Sequence, residues 1–329
     1  MSTDTIILTR SQVASLLHQE ECIAAVEEMF RLHGEGKTQE PSILGVHAVT
    51  GGFHIKAGVM DLSKSYFVAK MNANFPGNPK QFSLPTIQGV VIVCDAANGR
   101  LLALTDSIEI TIQRTGAATA VAAKYLAKKS SEKLAVIGCG NQGRVSMEML
   151  SSIFSFKEIR LFDTEPINAQ KLQTEASLVL KNVGVCATVQ EAVKEADIII
   201  TCTPSRKPFL TRDMVSPGAF IAAVGADNEE KQELDEALVF ESKLVADITA
   251  QCATIGELHH ALERGLVTRE HVYAQLGEVV SGRKEGRTSE EEIIIFDSTG
   301  MALQDVASAV IVYEKAITRN NSLSLDFMA

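Results

Sequence analysis

The chain has 329 residues, of which 46% are hydrophobic and 22% charged, and its formal net charge is −10 at pH 7. This size predicts one large or two medium globular domains, and the acidic excess disfavours a nucleic-acid or anionic-membrane partner. The longest apolar stretches are too short for a transmembrane helix, and the N-terminus lacks the features of a signal peptide. Six scattered cysteines form no C-x-x-C pair, so we expect reduced thiols and a cytoplasmic protein.

The first third of the chain changes from helical to strand periodicity. Residues 10–34 carry apolar positions at helical spacing and predict one or two amphipathic helices. Short alternating segments between residues 42 and 95, separated by Gly and Pro turns, predict an antiparallel sheet or half-barrel. Within residues 90–106, Asn98-Gly99 lies between two apolar runs and is typical of a β-hairpin. Residues 108–129 predict an alanine-rich helix.

From residue 133 to about residue 248, apolar strand-like runs alternate with helical segments, which predicts parallel strands joined by helices. The predicted strands cover 134–138, 158–163, 185–187, 197–203, 219–225 and 243–247. Helical segments near 254–265, a strand at 292–298 and a final helix at 301–317 follow, and the tail 318–329 either forms an ordered arm or frays. We therefore predict an α/β fold: a Rossmann-type doubly wound parallel sheet with a second α+β domain.

A glycine-rich segment lies inside this alternation. The strand predicted at Leu134–Ile137 is followed at once by Gly138-Cys139-Gly140-Asn141-Gln142-Gly143. In the dinucleotide-binding βαβ unit, the first Gly makes a tight turn, the second lets backbone approach the pyrophosphate, and the third allows close packing of helix on strand. Asp163 ends the next predicted strand about 20 residues further on, where an acid binds the ribose hydroxyls. The alternative is an ordinary glycine-rich turn between a strand and a helix.

Two cationic side chains lie in otherwise apolar or small-residue surroundings. Lys70 shares a strand face with Val68, and it either borders a cavity with a partner or lies at a strand edge with a solvated head. Arg114 precedes a run of small residues, and its guanidinium fork suits a carboxylate or a phosphate. The alternative for Arg114 is a structural ion pair, for example with Asp106 or Glu109.

Polar residues close several predicted strands, and ligands collect at the carboxyl ends of strands in a doubly wound sheet. Asp227 follows such a strand and is a candidate acid or base near a nicotinamide, although Asp227 with Glu230 also resembles a capping box. Thr201, Thr203 and Ser205 either line the cofactor or form a plain loop. The segment 297–300 (DSTG) is a turn or helix start whose amides could face an anion.

The segment 257–260 (ELHH) has residue types that bind metals. A pair of histidines on a helix surface without an evident third ligand is the commoner arrangement, so we predict no metal site.

The chain as a whole resembles the ornithine cyclodeaminase and mu-crystallin family, which includes archaeal-type alanine dehydrogenases and ketimine reductases. The likeness extends over nearly the full length. It is carried by KMNANFPGNP (70–79), LPTIQG (84–89), RTGAATAVAAKYLA (114–127), VIGCGNQG (136–143), TCTPSRKP (201–208), AVGADNEEKQELD (223–235), LGEVVSGRKEGR (276–287) and FDSTGMALQDVA (296–307).

The resemblance implies a homodimer with two domains in each chain. Residues 1–118 and 302–329 would form a substrate-binding and dimerisation domain, and residues 119–301 a dinucleotide-binding domain. Lys70 and Arg114 would hold the substrate carboxylate and the reacting centre, and Asp227 would serve proton transfer at nitrogen. The implied cofactor positions are Gly138, Gly140, Asn141, Gln142, Gly143, Arg114, Thr115, Asp163, Thr203, Ser205, Gly225, Asp227 and Ser298.

Three positions help to sort the members of the family. Asp163 ends its strand without a following Arg, and a carboxylate there favours NAD over NADP. Asp227 is an acid where the mu-crystallins lack one, which makes a purely hormone-binding role less favoured. Many relatives carry a Pro-x-Arg whose Arg binds the substrate carboxylate, whereas this chain has Glu40-Pro41-Ser42-Ile43. His54 and Lys56 share one strand face and are candidates to replace the missing charge, and the departure disfavours true ornithine cyclisation.

The leading hypothesis is an NAD(H)-dependent oxidoreductase that acts on the C–N bond of a small amino acid or a cyclic imino acid. Alanine dehydrogenase and Δ1-pyrroline-2-carboxylate reductase are the nearest named activities. The alternatives are an ammonia-releasing cyclodeaminase that uses NAD catalytically and a mu-crystallin-type binding protein.

Overall fold

The computed structural model describes residues 4–319, 322–327 and 329. These residues divide into two compact units: the first contains the described residues up to Arg114 and those from Met301 onward, and the second contains Thr115–Gly300. The boundaries expected from sequence, 118/119 and 301/302, lie a few residues away, and the roles assigned to the two domains stay predictions. Among the described residues, none of the helices is long and hydrophobic enough to cross a lipid bilayer.

Strands and helices are numbered here in chain order. The strands are β1 Thr5–Leu8, β2 Ser42–Ala48, β3 Gly51–Asp61, β4 Ser65–Asn74, β5 Ile87–Asp95, β6 Leu101–Asp106, β7 Lys133–Ile137, β8 Glu158–Phe162, β9 Val183–Val185, β10 Ile198–Thr201, β11 Arg206–Leu210, β12 Phe220–Ala223, β13 Gln232–Leu234, β14 Lys243–Ala246, β15 Val272–Gln275, β16 Ile294–Asp297 and β17 Leu323–Leu325. The α-helices are α1 Arg10–Leu16, α2 Gln19–Gly34, α3 Asn78–Gln81, α4 Ile108–Leu126, α5 Asn141–Ser151, α6 Pro166–Ala176, α7 Val189–Val193, α8 Glu236–Glu241, α9 Thr249–Ile255, α10 Glu257–Glu263, α11 Leu276–Val280 and α12 Ala302–Arg319.

The first unit is built on a sheet whose strand order, within the described residues, is β17-β1-β6-β5-β4-β3-β2. Strands β2 to β6 form an antiparallel meander, as the alternating segments predicted, and β1 adds to it in parallel with β6. The predicted Asn-Gly turn joins β5 to β6, with Gly99 at φ +78°, a conformation that glycine adopts without strain. Helix α12 packs on one face of the sheet, where the absence of a side chain at Gly58 lets Leu303 approach closely.

The described part of the C-terminal tail pairs with the sheet of the first unit, as in the first of the two predicted alternatives. Strand β17 pairs antiparallel with β1, with Ile6 opposite Ser324. Neither β1 nor β17 was predicted, because three or four residues carry too little periodicity to be distinguished from a loop. Residues 320, 321 and 328 of the tail lie outside the described residues.

The second unit is built on a parallel sheet whose described strands have the order β15-β14-β16-β12-β10-β7-β8-β9. The strand order reverses at β7, which pairs with β8 on one side and β10 on the other, as in a doubly wound fold. The predicted α/β fold with a Rossmann-type sheet is therefore confirmed. Buried isoleucines from neighbouring strands, Ile137, Ile199, Ile221 and Ile295, form part of its core.

Details of this sheet differ from the predicted strands. Strand β9 covers Val183–Val185 and not 185–187: it includes Gly184, a residue type depleted in strands, which had placed the predicted start after it. Strand β16 inserts between β12 and β14, and β11 pairs with β13 in a separate small sheet. Long-range pairing of this kind leaves no local signal in the sequence.

Candidate active site

The glycine-rich turn of the second unit has the geometry of a dinucleotide-binding loop. Gly138 has φ +102°, and a Cβ there would lie 2.8 Å from the Cys202 carbonyl oxygen. A Cβ at Gly143 would lie 2.0 Å from the Gly138 carbonyl oxygen, so only glycine allows α5 to begin this close to β7. At Gly140, by contrast, a Cβ would meet nothing within 4 Å. This open space, next to the amides that begin α5, fits a pyrophosphate.

Asp163 follows β8 and is oriented by the loop beside it. Its Oδ2 accepts the Cys139 N–H at 2.8 Å, and its Oδ1 accepts the N–H of Glu165 at 2.9 Å. The side chain is half-buried, so the carboxylate keeps a solvent-facing side on which ribose hydroxyls can bind. Nearby, Gln142 follows Asn141 in the first turn of α5, and its buried Oε1 has no hydrogen-bond partner among the described residues.

Other residues that the sequence predicted to bind the cofactor follow strands β10, β12 and β16 of the second unit or lie in α4. Thr203 donates both its N–H and its hydroxyl to Glu233, and the Ser205 N–H donates to the Thr203 Oγ1 at 3.2 Å. Gly225 follows β12, and Ser298 follows β16 and is buried. Thr115, also buried, uses its carbonyl to accept the hydroxyl of Thr119 within α4. The cofactor roles of these residues stay predictions.

Asp227 lies in a turn beyond β12 with its side chain 41% exposed. Lys231 donates from Nζ to its Oδ1 at 2.6 Å. The alternative in which Asp227 caps a helix is wrong, because residues 228–230 form a bend and a turn, and β13 begins at Gln232. An acid that is both charge-paired and accessible is suited to exchange protons with a bound ligand.

In the first unit, Lys70 is buried and ion-paired. It is 2% exposed, and its Nζ donates to Oδ1 of Asp305 on α12 at 2.8 Å. The alternative of a strand-edge lysine with a solvated head is therefore wrong. Burial lowers the pKa of Lys70 to about 7, the charge of Arg114 acts in the same direction, and Asp305 opposes them. Burial alone would raise the pKa of Asp305, but Lys70 and Arg114 reverse this and leave it below its ordinary value.

Arg114 meets the same carboxylate. Its Nε donates to Asp305 Oδ1 at 3.1 Å and its Nη1 donates to Gln304 Oε1 at 2.9 Å. The ion pair with Asp106 or Glu109 considered above does not form: Asp106 accepts the N–H groups that begin α4, and Glu109 pairs with Arg10. Two cations thus share one oxygen of one carboxylate.

Lys70, Arg114, Gln304 and Asp305 form a buried cluster, and some of its polar atoms lack hydrogen-bond partners among the described residues. Within the described residues, buried Oδ2 of Asp305 and buried Nε2 of Gln304 have no hydrogen-bond partner. A buried polar group left unpaired costs about 1–3 kcal/mol, so atoms of this kind in a native fold point to a ligand or to water. The cluster brings two basic side chains to a single carboxylate.

His54 and Lys56 lie on the same face of the sheet as Lys70. Lys56 is directly opposite Lys70 in the pairing of β3 with β4, and His54 is opposite Asn72. Lys56 is 9% exposed and His54 is half-buried. Their positions suit the predicted replacement for the missing arginine, and the role itself stays a prediction.

The histidines that drew attention in the sequence lie on α10. One ligand atom from each of His259, His260 and Glu263 falls within 4.8 Å of the others. His260 Nε2 is hydrogen-bonded to the Lys231 carbonyl at 2.8 Å, and Glu257 turns inward to accept the N–H groups of Glu233 and Leu234. The segment is thus engaged within the fold, and we assign no metal to it.

Sequence reasoning missed Asp305, Gln304 and Glu233. A signal for the first two was present, since QD interrupts the run of small and apolar residues in α12, whose first eleven residues include ten buried ones. Glu233 had no such signal, because its two threonine partners lie about 30 residues earlier in the chain.

Comparison with known proteins gives a consistent result. A sequence model of the ornithine cyclodeaminase/mu-crystallin family matches residues 3–320. The chain is 39% identical over 327 residues to the alanine dehydrogenase of Archaeoglobus fulgidus, covering 98% of this chain and 99% of that protein. Among solved structures it resembles an archaeal alanine dehydrogenase dimer with bound NAD, at a TM-score of 0.95 and 38% identity over 99% of this chain and 100% of that one. It also resembles the Δ1-pyrroline-2-carboxylate reductase of Thermococcus litoralis in complex with NADH and L-proline, at a TM-score of 0.92 and 30% identity, covering 98% and 100% of the two chains.

Proposed function

The chain belongs to the ornithine cyclodeaminase/mu-crystallin family, and from this premise we propose that it is an NAD(H)-dependent oxidoreductase acting on the C–N bond of a small amino or imino acid. The first candidate reaction is alanine dehydrogenation, which in reverse reduces the imine formed from pyruvate and ammonia. Full-length similarity to an alanine dehydrogenase supports it. Reduction of a cyclic imine such as Δ1-pyrroline-2-carboxylate is the second candidate, supported by the neighbour bound to NADH and L-proline.

One observation carries the proposal: a buried carboxylate, Asp305, is shared by Lys70 and Arg114. The pair of cations exceeds the charge of one carboxylate, and buried charges in proteins are normally balanced. The carboxylate of a 2-imino acid would supply the second negative charge. Arginine is suited to this role because its fork donates two parallel hydrogen bonds to a carboxylate.

The proposal gives a chemical role to each residue. Lys70, with its lowered pKa, is able both to hold an anion and to exchange a proton near neutral pH. Arg114 orients the substrate carboxylate. Asp227 returns or removes the proton of the substrate nitrogen, and Lys231 keeps this carboxylate oriented. When bound, the nicotinamide supplies or accepts the hydride at the substrate α-carbon.

NAD is the cofactor in this proposal. The glycine-rich loop and the open space at Gly140 fit a pyrophosphate, and Asp163 presents a carboxylate where NADP would bring a 2′-phosphate. Gly138, Gly140, Asn141, Gln142 and Gly143 would hold the phosphates. Thr115, Thr203, Ser205, Gly225 and Ser298 would complete the cofactor site.

NADH oxidation tests the proposal directly. The purified chain is assayed with NADH and either pyruvate plus ammonia, pyruvate plus methylamine, Δ1-pyrroline-2-carboxylate or the six-membered homologue of this imine. We expect turnover with at least one of them and a preference for NADH over NADPH. Ammonia release from ornithine without net loss of NADH would contradict the proposal in favour of a cyclodeaminase.

We also propose a homodimer. The face of the first unit's sheet turned away from α12 carries apolar side chains that are only partly covered, among them Phe53, Phe67 and Met71. The edge strand β2 exposes Ile43, Leu44 and Val46 as well. Apolar surface of this kind on one sheet is typical of a subunit interface. Light scattering of the wild type should give twice the mass of the chain, and Phe67→Asp should give the monomer; a monomeric wild type would contradict the dimer.

The cytoplasm is the location that suits this function. All six cysteines are free thiols, and Cys22, Cys139 and Cys252 are buried. Free thiols persist in a reducing compartment. Fractionation of cells that make the protein should recover it with cytoplasmic enzymes.

A further inference from the structure

Glu233 is a fully buried carboxylate that joins two loops of the second unit. Its Oε1 accepts the Thr203 N–H at 2.6 Å and the Thr203 hydroxyl at 2.7 Å. Its Oε2 accepts the Thr201 hydroxyl at 2.8 Å and the Gly225 N–H at 2.9 Å. One side chain therefore connects the end of β10 to the end of β12.

Glu233 packs tightly between the backbone of Gly225 and that of Thr203. A Cβ at Gly225 would lie 2.4 Å from Glu233 Cδ and 2.5 Å from the Thr203 carbonyl oxygen. The backbone of one loop, the carboxylate and the backbone of the other loop are thus in direct contact. A displacement of Glu233 has to move both loops.

Glu233 is itself held in place by a second buried carboxylate. The N–H groups of Glu233 and Leu234 donate to the two carboxylate oxygens of Glu257, at 2.9 and 3.0 Å. Asp297 in turn accepts the N–H of Glu257 at 3.2 Å and that of Leu258 at 3.0 Å. The chain of carboxylates ends on β16, a central strand of the sheet, so Glu233 is anchored to the rigid part of the unit.

We infer that Glu233 is a positioning residue for the proposed dehydrogenase: it fixes the loop that carries Thr203 and Ser205 and the loop that carries Gly225 and Asp227. The inference rests on the proposed function, in which the first loop borders the cofactor and the second carries the proton-transfer acid. Glu233 acts only through these loops. Misplacement of a reacting group by about 1 Å can reduce turnover about 100-fold, which makes such an anchor a determinant of rate.

Glu233→Gln is a sharp test because it preserves shape and removes one acceptor. Each carboxylate oxygen accepts one backbone N–H, and a backbone N–H can only donate. A glutamine amide in either orientation must therefore point its NH₂ group at the N–H of Thr203 or of Gly225. One loop has to move away.

Two further variants test the same inference. Glu236→Gln is the matched control, because Glu236 is also buried and pairs with the side chains of Gln232 and Arg264, and not with the loops that carry Thr203 and Gly225. Thr201→Val is a milder change that removes one hydroxyl donor from Oε2 and preserves the volume of the side chain. It serves as the test if Glu233→Gln does not fold.

We expect Glu233→Gln to lower kcat about 10- to 100-fold and to weaken NADH binding about 10-fold. The KM for the imino acid should change less than about threefold, since the predicted carboxylate-binding residues belong to the first unit. Thr201→Val should lower kcat about 3- to 10-fold, an effect typical of one lost hydrogen bond. Glu236→Gln should keep kcat and NADH affinity within about twofold of the wild type, whatever its melting temperature.

The measurements are NADH titration by fluorescence, steady-state kinetics and thermal unfolding of all four proteins. A folded Glu233→Gln variant with wild-type kcat and NADH affinity would overturn the inference, and so would an equal loss of kcat in Glu236→Gln. If the wild type binds NADH but turns over no imino acid, the proposed function is wrong, and this result does not contradict the inference about Glu233. The NADH affinities of Glu233→Gln and the wild type would then still decide whether Glu233 positions the cofactor loop.

Discussion

Each unit of the molecule buries a group of ionisable side chains, and the two groups are stabilised in opposite ways. In the first unit, Lys70 and Arg114 converge on Asp305, so ions of opposite sign are paired. In the second unit, Glu233, Glu257 and Asp297 accept hydrogen bonds from backbone N–H groups and hydroxyls. Among the hydrogen bonds of the described residues, none joins one of these three carboxylates to a cationic side chain.

The difference indicates what each group does. The cluster on α12 leaves polar atoms of Asp305 and Gln304 unpaired and carries an excess of positive charge, as a ligand site requires. The carboxylates of the second unit are bonded to the backbone ends of β10, β12 and β13, so they organise loops. This contrast supports the proposal that the first group binds the substrate and the second anchors loops.

Burial favours the neutral form of the ionisable side chains in both units, so it shifts the pKa of the lysine and of the carboxyl groups in opposite directions. It lowers the pKa of Lys70 and raises the pKa of Glu257 and of Asp297. Variants of the two groups should accordingly differ in what they change: activity for the first, and stability with its pH dependence for the second.

The largest expected effect is that of Lys70→Met. Removing the ammonium should lower kcat/KM for the imino acid about 1000-fold, because one anchor of the carboxylate and a proton-exchanging group are lost together. NADH affinity should stay within about twofold, since the predicted cofactor residues around the glycine-rich loop belong to the other unit. Steady-state kinetics and NADH titration measure both quantities.

Lys64→Met is the control for this variant, because Lys64 is an exposed lysine that pairs with Asp95 in the same unit. It should retain wild-type kcat/KM. A Lys70→Met variant with more than about a tenth of wild-type kcat/KM would show that the cluster does not hold the substrate.

The next effect concerns the pH dependence of stability. Burial raises the pKa of Asp297 from 3.8 to about 7, so between these pH values the folded state binds more protons than the unfolded state. The free energy of unfolding therefore falls as pH rises through this window, by at most about 4 kcal/mol. Asp297→Asn should remove this part of the pH dependence.

Urea unfolding of the wild type and Asp297→Asn at pH 5 and at pH 7.5 tests the assignment. The difference in unfolding free energy between the two proteins should shrink as pH rises. Asp213→Asn, which changes an exposed acid, should follow the wild type at both pH values. Parallel pH profiles for Asp297→Asn and the wild type would contradict a protonated Asp297.

The smallest expected effect is at Asp163, a carboxylate of the second unit that stays accessible. Asp163→Ser should shift the ratio of NADPH to NADH affinity about 10-fold toward NADPH, because the charge that repels a 2′-phosphate is lost. Fluorescence titration with each dinucleotide measures the ratio, and Glu165→Gln, which changes an exposed neighbour, should leave it unchanged. An unaltered ratio in Asp163→Ser would separate Asp163 from cofactor choice.

The parts of the fold with a local signature were predictable from sequence. The βαβ unit from β7 to β8 was identified from its apolar run, its glycine spacing and Asp163, all within about 30 residues. The hairpin of β5 and β6 was identified from Asn98-Gly99. In both, the residues that determine the structure are neighbours in the chain.

Long-range partners were not predictable from single positions. Asp305 is 235 residues from Lys70, and its pairing depends on how α12 packs on β4. The position of β16 between β12 and β14 depends in the same way on the whole sheet. Strand periodicity alone left Lys70 open between a paired residue beside a cavity and a solvated strand-edge residue, and the ion pair with Asp305 decides for the buried, paired position.

The most direct test of the central claim follows the hydride. NADH carrying deuterium at the transferred position is incubated with the protein, pyruvate and ammonia, and in parallel with Δ1-pyrroline-2-carboxylate. We expect one deuterium at the α-carbon of the amino-acid product for each NADH oxidised, and no such signal with Lys70→Met. An amino acid without deuterium, or ornithine turnover with no net oxidation of NADH, would contradict it.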